Sequence, residues 1–136
     1  MADMSELLEQ ACRAAEASYC PYSRFRVGAA LLCKDGTVIM GTNVENRSFG
    51  LTNCAERSAI FTAISSGRNQ FEAIAVCTPD SAQAVAPCGA CRQVLSEFVK
   101  GNFPVAFAGR DQRVETTLGQ LYPFDSLQDL KKGSGG

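Results

Sequence analysis

Two short cysteine motifs set the hardest constraint on what this chain can fold into. Cys54 and Glu56 stand in Asn53-Cys54-Ala55-Glu56-Arg57, and Cys88 and Cys91 in Pro87-Cys88-Gly89-Ala90-Cys91-Arg92. The chain has no histidine. A metal here must therefore be held by thiolates or carboxylates, and a proton carrier cannot be imidazole. Cys88 and Cys91 are three apart, so on one helical turn their sulfurs face the same way. Cys54 lies 34 positions before Cys88. Uniting the three takes two distant chain segments meeting at one point, a clamp built by the fold rather than a local finger. Three thiolates leave one tetrahedral zinc position open, as in a catalytic site. Glu56, two residues past the first ligand, can stand beside that open position and carry protons.

The same residues admit other readings. Pro-Cys-Gly-Ala-Cys at a helix start resembles a redox dithiol, although that leaves Cys54-Ala55-Glu56 unexplained. A closed structural zinc would recruit Cys33 or Cys77, but both lie in apolar strand patterns where a buried thiol is ordinary. Glu56 and Arg57 are otherwise solvated helix residues. Charge favours a role for the arginines, because zinc with three thiolates is net negative and opposes ionisation of a bound water. Arg57 and Arg92 can donate to the sulfurs and drain that charge, helped by the two helix N-termini.

Periodicity places the motifs. Residues 4–18 read as an amphipathic helix with Leu7, Leu8, Ala11, Ala14, Ala15 and Ser18 on one face, capped by Asp3 and stopped by Pro21. A strand at 25–33 and its partner at 37–42 flank the hairpin signal Lys34-Asp35-Gly36. Gly28 in the first strand allows close approach of another backbone. Residues 43–53 are a polar loop. A helix at 54–66 ends at Gly67, and the apolar run 71–78 predicts a strand covered on both faces. A helix at 89–99 and strands at 103–108 and 113–117 follow. This order predicts a three-layer α/β/α sandwich with a five-stranded mixed sheet, in a single domain over 1–136 whose last residues, 131–136, form a flexible tail. Both cysteine motifs then fall where strands hand over to helix N-termini, which is where open α/β sheets bind ligands.

Composition excludes several classes. With net charge −1, the chain lacks the basic balance of a protein that tracks phosphates, so no nucleic-acid partner is expected. No apolar run approaches the roughly 20 residues a membrane span needs. The acidic, polar start reads against a secretory signal, so a cytoplasmic location is expected. Seven cysteines in a reducing compartment read as ligands plus packed thiols, with Cys12 and Cys20 as structural helix residues.

The motifs resemble those of the small, homotetrameric, zinc-dependent cytidine deaminases. The resemblance runs from Cys20-Pro21-Tyr22-Ser23-Arg24-Phe25-Arg26-Val27-Gly28-Ala29-Ala30, through Gly41-Thr42-Asn43-Val44-Glu45-Asn46 and both cysteine motifs, to the region of Asp129-Leu130. It implies one zinc ion per subunit on Cys54, Cys88 and Cys91, with Glu56 as proton shuttle in the hydrolytic release of ammonia from cytidine or deoxycytidine, a step of pyrimidine salvage. It implies that Phe25 stacks on the pyrimidine, that Asn43 and Glu45 hold the ribose, and that the Ala55 backbone contacts the base. It also implies a homotetramer whose neighbouring subunits complete each site, with Phe49 and Phe124 near the family's aromatic positions. Around Phe124, Leu121-Tyr122-Pro123-Phe124-Asp125-Ser126 is one residue shorter than the family pattern. Read from spacing alone, Asn43-x-Glu45 is also ordinary turn material and Phe25 a strand-core residue. A carboxylate at the ribose would repel a nucleotide phosphate, so a free nucleoside is the expected substrate. The remaining rivals are a deaminase of another small aminated ring such as blasticidin or guanine, an RNA-editing subunit, and a non-catalytic zinc-stapled module.

Overall fold

The computed structural model describes residues 3–127, so the tail expected at 131–136 and the end of the resemblance at Asp129-Leu130 lie outside it. Five strands form one mixed sheet in the order β2-β1-β3-β4-β5: β1 (Gly28–Cys33), β2 (Val38–Thr42), β3 (Phe71–Cys77), β4 (Pro104–Ala108) and β5 (Arg113–Thr117). Only β3 and β4 pair in parallel; β1 pairs antiparallel with both β2 and β3, and β4 with β5. One face packs on α1 (Met4–Ala15), through Leu7, Leu8 and Ala11 against Ala30, Ala73 and Ala75. The other face meets α2 (Ala55–Ser65) and α3 (Gly89–Phe98), where Ile60 and Leu95 pack with Leu31, Ile74 and Val105. A short α4 (Leu118–Leu121) follows β5. The three layers and the five-stranded mixed sheet are those the sequence predicts, and β3 is covered on both faces as its apolar run requires.

Two glycines let the helices lie directly on the sheet. A methyl group on Gly28 would fall 1.9 Å from the Ala11 carbonyl oxygen of α1. One on Gly41 would fall 2.4 Å from the Ala55 carbonyl oxygen and 2.5 Å from the Ala59 amide nitrogen of α2. Both obstacles are backbone and cannot swing aside. The hairpin turns through Gly36 at φ 90°, and Gly67 at φ 91° closes α2, both left-handed conformations that glycine adopts without strain.

Several boundaries differ from expectation, each for a physical reason. The first helix stops at Ala15, three residues short of the expected end at 18. The chain there turns so that Tyr19 bridges to Val44 and the Ser18 hydroxyl donates to the Val27 carbonyl at 3.2 Å. Cys20 is therefore outside the helix. The first strand begins at Gly28 rather than Phe25, because side chains rather than a neighbouring strand satisfy the amides before it.

The larger correction concerns Cys12 and Cys77, expected as separate packed thiols. They form a disulfide joining α1 to the end of β3. Their Cα atoms lie 5.1 Å apart, within the usual range for such a bridge, and 65 residues separate them. Spacing cannot reveal a pair that only the packing of α1 onto the sheet brings together.

Because Gly41 seats α2, Gly41→Ala must push that helix off the sheet. It is expected to lower stability by on the order of 1–3 kcal/mol, the range for overpacking. Thermal unfolding measures this, and an unchanged melting temperature would contradict the close approach.

Candidate metal and catalytic site

Cys54 is the N-cap of α2 and Cys88 the N-cap of α3, while Cys91 sits in the first turn of α3. Neither cap side chain is spent on its helix. The two helix starts converge beside the carboxyl end of β3, and the three sulfurs gather within 4.8 Å of one another. The Cys54 and Cys88 sulfurs are 3.7 Å apart, and those of Cys88 and Cys91 3.4 Å. Tetrahedral zinc with bonds of about 2.3 Å holds its sulfurs about 3.8 Å apart, so the trio fits that ion closely. The donor set fits as well, since thiolates are preferred zinc ligands. Neither Cys33, buried within β1, nor the disulfide-bonded Cys77 belongs to the group. Among the described residues the site thus offers three protein ligands, which would leave the fourth tetrahedral position of a zinc ion open.

Charge is arranged around these sulfurs. The Arg57 guanidinium donates to the Cys54 sulfur at 3.1 Å. The neighbouring Cys91 thiol, with further help from Arg57 and Cys88, holds the Cys54 thiol well below its usual range despite its burial. Cys91 moves the other way, because the Cys54 thiolate and burial both oppose a second negative charge. A dication resolves that conflict by allowing every sulfur to ionise. Arg57 itself is held firmly protonated by Cys54.

Arg92 takes a different part from the one expected. It makes no bond to sulfur, but donates to the Pro87 carbonyl at 2.8 Å and the Leu121 carbonyl at 2.7 Å. Its side chain runs away from the metal position and ties the loop before Cys88 to the end of α4.

The site opens into a cavity of about 200 Å3. Phe25, Asn43, Ala55 and Glu56 line it beside Cys54 and Cys88. Glu56, in the first turn of α2, is 4% exposed, and burial pushes its carboxyl up to about 7. Asn43 is also buried; it accepts from the Val27 amide at 3.0 Å and donates to the Phe25 carbonyl at 2.8 Å. An amide has two donor hydrogens and two acceptor lone pairs, so one of each remains for a ligand.

Glu45, by contrast, does not line the cavity. One carboxylate oxygen accepts from the Tyr22 and Ser23 amides at 3.0 and 3.1 Å, and the other from the Ser23 hydroxyl. Phe49 and Phe124 also stand apart from the cavity, 74% and 91% exposed, with Phe49 set edge-on to Tyr22. Sequence reasoning missed Val76, Thr78, Val85 and Ala86 as lining residues. The end of β3 was the available signal, because a strand leading to the metal must bring its last residues there. A larger groove of about 360 Å3, lined by Lys34, Phe71, Phe98, Lys100 and Phe103, lies at the opposite end of β3. It contains neither the cysteine trio nor a buried carboxyl, so chemistry rather than volume assigns the site.

Comparison with known proteins agrees with this architecture. Residues 1–106 match the sequence profile of the cytidine and deoxycytidylate deaminase zinc-binding region. The chain is similar to a cytidine deaminase of Halalkalibacterium halodurans, 50% identical over 89% of this chain and 92% of the relative. A cytidine deaminase of Sporosarcina psychrophila is 47% identical over 89% of both. Among solved structures, the cytidine deaminase from Burkholderia pseudomallei superposes with a TM-score of 0.84 at 45% identity, over 90% of this chain and 98% of that one. The chain belongs to the zinc-dependent cytidine and deoxycytidylate deaminase family, and its resident cofactor is zinc.

Loss of the Arg57 guanidinium leaves the sulfur trio in place but removes the nearest positive charge. Arg57→Ala is therefore expected to retain zinc, by elemental analysis, while turnover falls about 10- to 100-fold, the range for lost support of a metal ligand. Full turnover in the zinc-loaded variant would contradict the assigned role.

Proposed function

We propose that this chain hydrolytically deaminates cytidine and deoxycytidine, giving uridine or deoxyuridine and ammonia in pyrimidine salvage. The observation that carries the proposal is a buried carboxyl, Glu56, sharing one cavity with an open three-cysteine zinc site. When bound, zinc supplies a polarised water as nucleophile. The remaining work falls to the protein. Glu56, with its carboxyl near 7, is poised both to take a proton from the water and to release it near neutral pH. It delivers that proton to the ring nitrogen, then takes the second proton from the oxygen newly bonded to the ring carbon and passes it to the amine, so the C–N bond breaks, ammonia leaves and water's oxygen remains as the carbonyl. Phe25 stacks on the base, and the Ala55 backbone contacts it. Asn43 offers its spare donor and acceptor to the ribose hydroxyl. Glu45, outside the cavity lining, holds the loop that brings Phe25 there, and we place the ribose so that it extends out of the cavity towards this carboxylate.

Several features support active sites completed by neighbouring copies in a homotetramer. The cavity is smaller than the roughly 300–1,000 Å3 of typical ligand pockets. The apolar residues Val44, Phe49 and Leu51 in the chain between β2 and α2, Phe61 on α2, and Phe124 are exposed. Among the described residues no helix is long and apolar enough to cross a membrane. We place the enzyme in the cytoplasm, as a single domain without a nucleic-acid partner.

The test is ultraviolet conversion of cytidine by the purified protein beside zinc-loaded Glu56→Ala. Turnover by the parent with a loss of about 10²–10⁴-fold in the variant is expected for a lost proton shuttle. A parent that holds zinc yet leaves cytidine unchanged refutes the substrate. Cytidine monophosphate should be a poor substrate, because its phosphate approaches the Glu45 carboxylate. Comparable kcat/KM for nucleoside and monophosphate would remove Glu45 from the ribose side.

A further inference from the structure

The Phe25 segment is held in an unusual way. The amides of Tyr22, Ser23, Phe25, Arg26 and Val27 each donate to a side-chain oxygen. Arg24 between them has φ 58°, a left-handed conformation that a non-glycine residue keeps only when its surroundings enforce it. Three of the four acceptors, Glu45, Ser23 and Asn43, belong to this segment or to the chain just after β2. The fourth is Asp80, which reaches across from the loop after β3, 54 positions away. Its carboxylate accepts from the Arg26 amide at 2.8 Å, from Nε at 3.1 Å and from a terminal guanidinium nitrogen at 2.7 Å.

That loop runs from Thr78 through Val85 and Ala86 to Cys88, all of which line the same cavity as Phe25. An exposed ion pair contributes little by itself, and the Arg26 and Asp80 side chains are 43% and 28% exposed. This one differs because its geometry is bidentate and a backbone amide joins it, which fixes relative position as well as charge. Arg26 holds the Asp80 carboxyl at about 2, so the clamp stays charged wherever the enzyme works.

We propose that Arg26 and Asp80 are positioning residues that clamp the Phe25 segment to the loop carrying Cys88, and thereby set the stacking surface for the pyrimidine. This rests on the cytidine reading above. The clamp touches neither the metal ligands nor Glu56, so its loss weakens substrate binding and spares the chemical step. It also explains why a segment outside the sheet can present an aromatic ring at fixed height.

The experiment measures steady-state kinetics on cytidine, zinc content and hydrogen exchange for the parent, Asp80→Ala, Arg26→Ala and the double variant. Asp80→Ala should raise KM about tenfold, the scale of a lost charge-assisted hydrogen bond, with kcat within about twofold and zinc retained. The double variant should be no worse than either single one. Exchange of amides 22–27 should accelerate while α2 and α3 stay protected. Unchanged KM and exchange, additive losses, or a parallel fall in kcat and zinc would each overturn the clamp. Should Asp80→Ala fail to fold, Asp80→Asn keeps an acceptor for the Arg26 amide and should show a smaller rise in KM. If the parent leaves cytidine unchanged, the substrate reading fails, and the exchange data alone decide whether the clamp exists.

Discussion

Everything at this site depends on two helices starting at the same place. α2 and α3 each begin with a cysteine beside the carboxyl end of β3, and the third cysteine follows one turn into α3. Seating α2 requires its backbone to lie against Gly41, and α3 packs into the same core through Leu95. The sulfur trio is thus a product of helix-on-sheet packing, with ligands 34 residues apart held by the core between them. Residues that never approach the metal decide its geometry.

The arrangement also handles a difficulty intrinsic to its ligands. Three thiolates overcompensate a dication, and the excess negative charge works against activation of water. Arg57 answers this directly at the Cys54 sulfur, and the exposed N–H groups of two helix starts add positive potential. Glu56 occupies the same first turn of α2 but faces the cavity, where burial raises its carboxyl towards neutrality. Adjacent residues on one helical turn therefore perform opposite electrostatic tasks.

The sequence carried most of the fold and the metal site because their signals are local or chemically distinctive. Apolar runs marked β3 and β4, Asp35-Gly36 marked the hairpin, and no histidine competed with the cysteines as ligand. Features that depend on tertiary approach were hidden. The Cys12–Cys77 bridge exists only because α1 crosses the end of β3. Arg92 resembles Arg57 in following a ligand cysteine within one helical turn, yet it points to the Pro87 and Leu121 carbonyls. Phe25 fits a strand pattern, but its segment is fastened by Glu45, Asn43 and Asp80 instead of by a ladder. Alternation cannot distinguish those two ways of holding an extended chain.

X-ray absorption at the zinc edge of the purified enzyme tests the central claim most directly, because it counts the ligands. An open site built by Cys54, Cys88 and Cys91 predicts three sulfurs at about 2.3 Å and one lighter atom at about 2.0 Å. Four sulfurs, or loss of zinc without loss of cytidine turnover, would contradict the account.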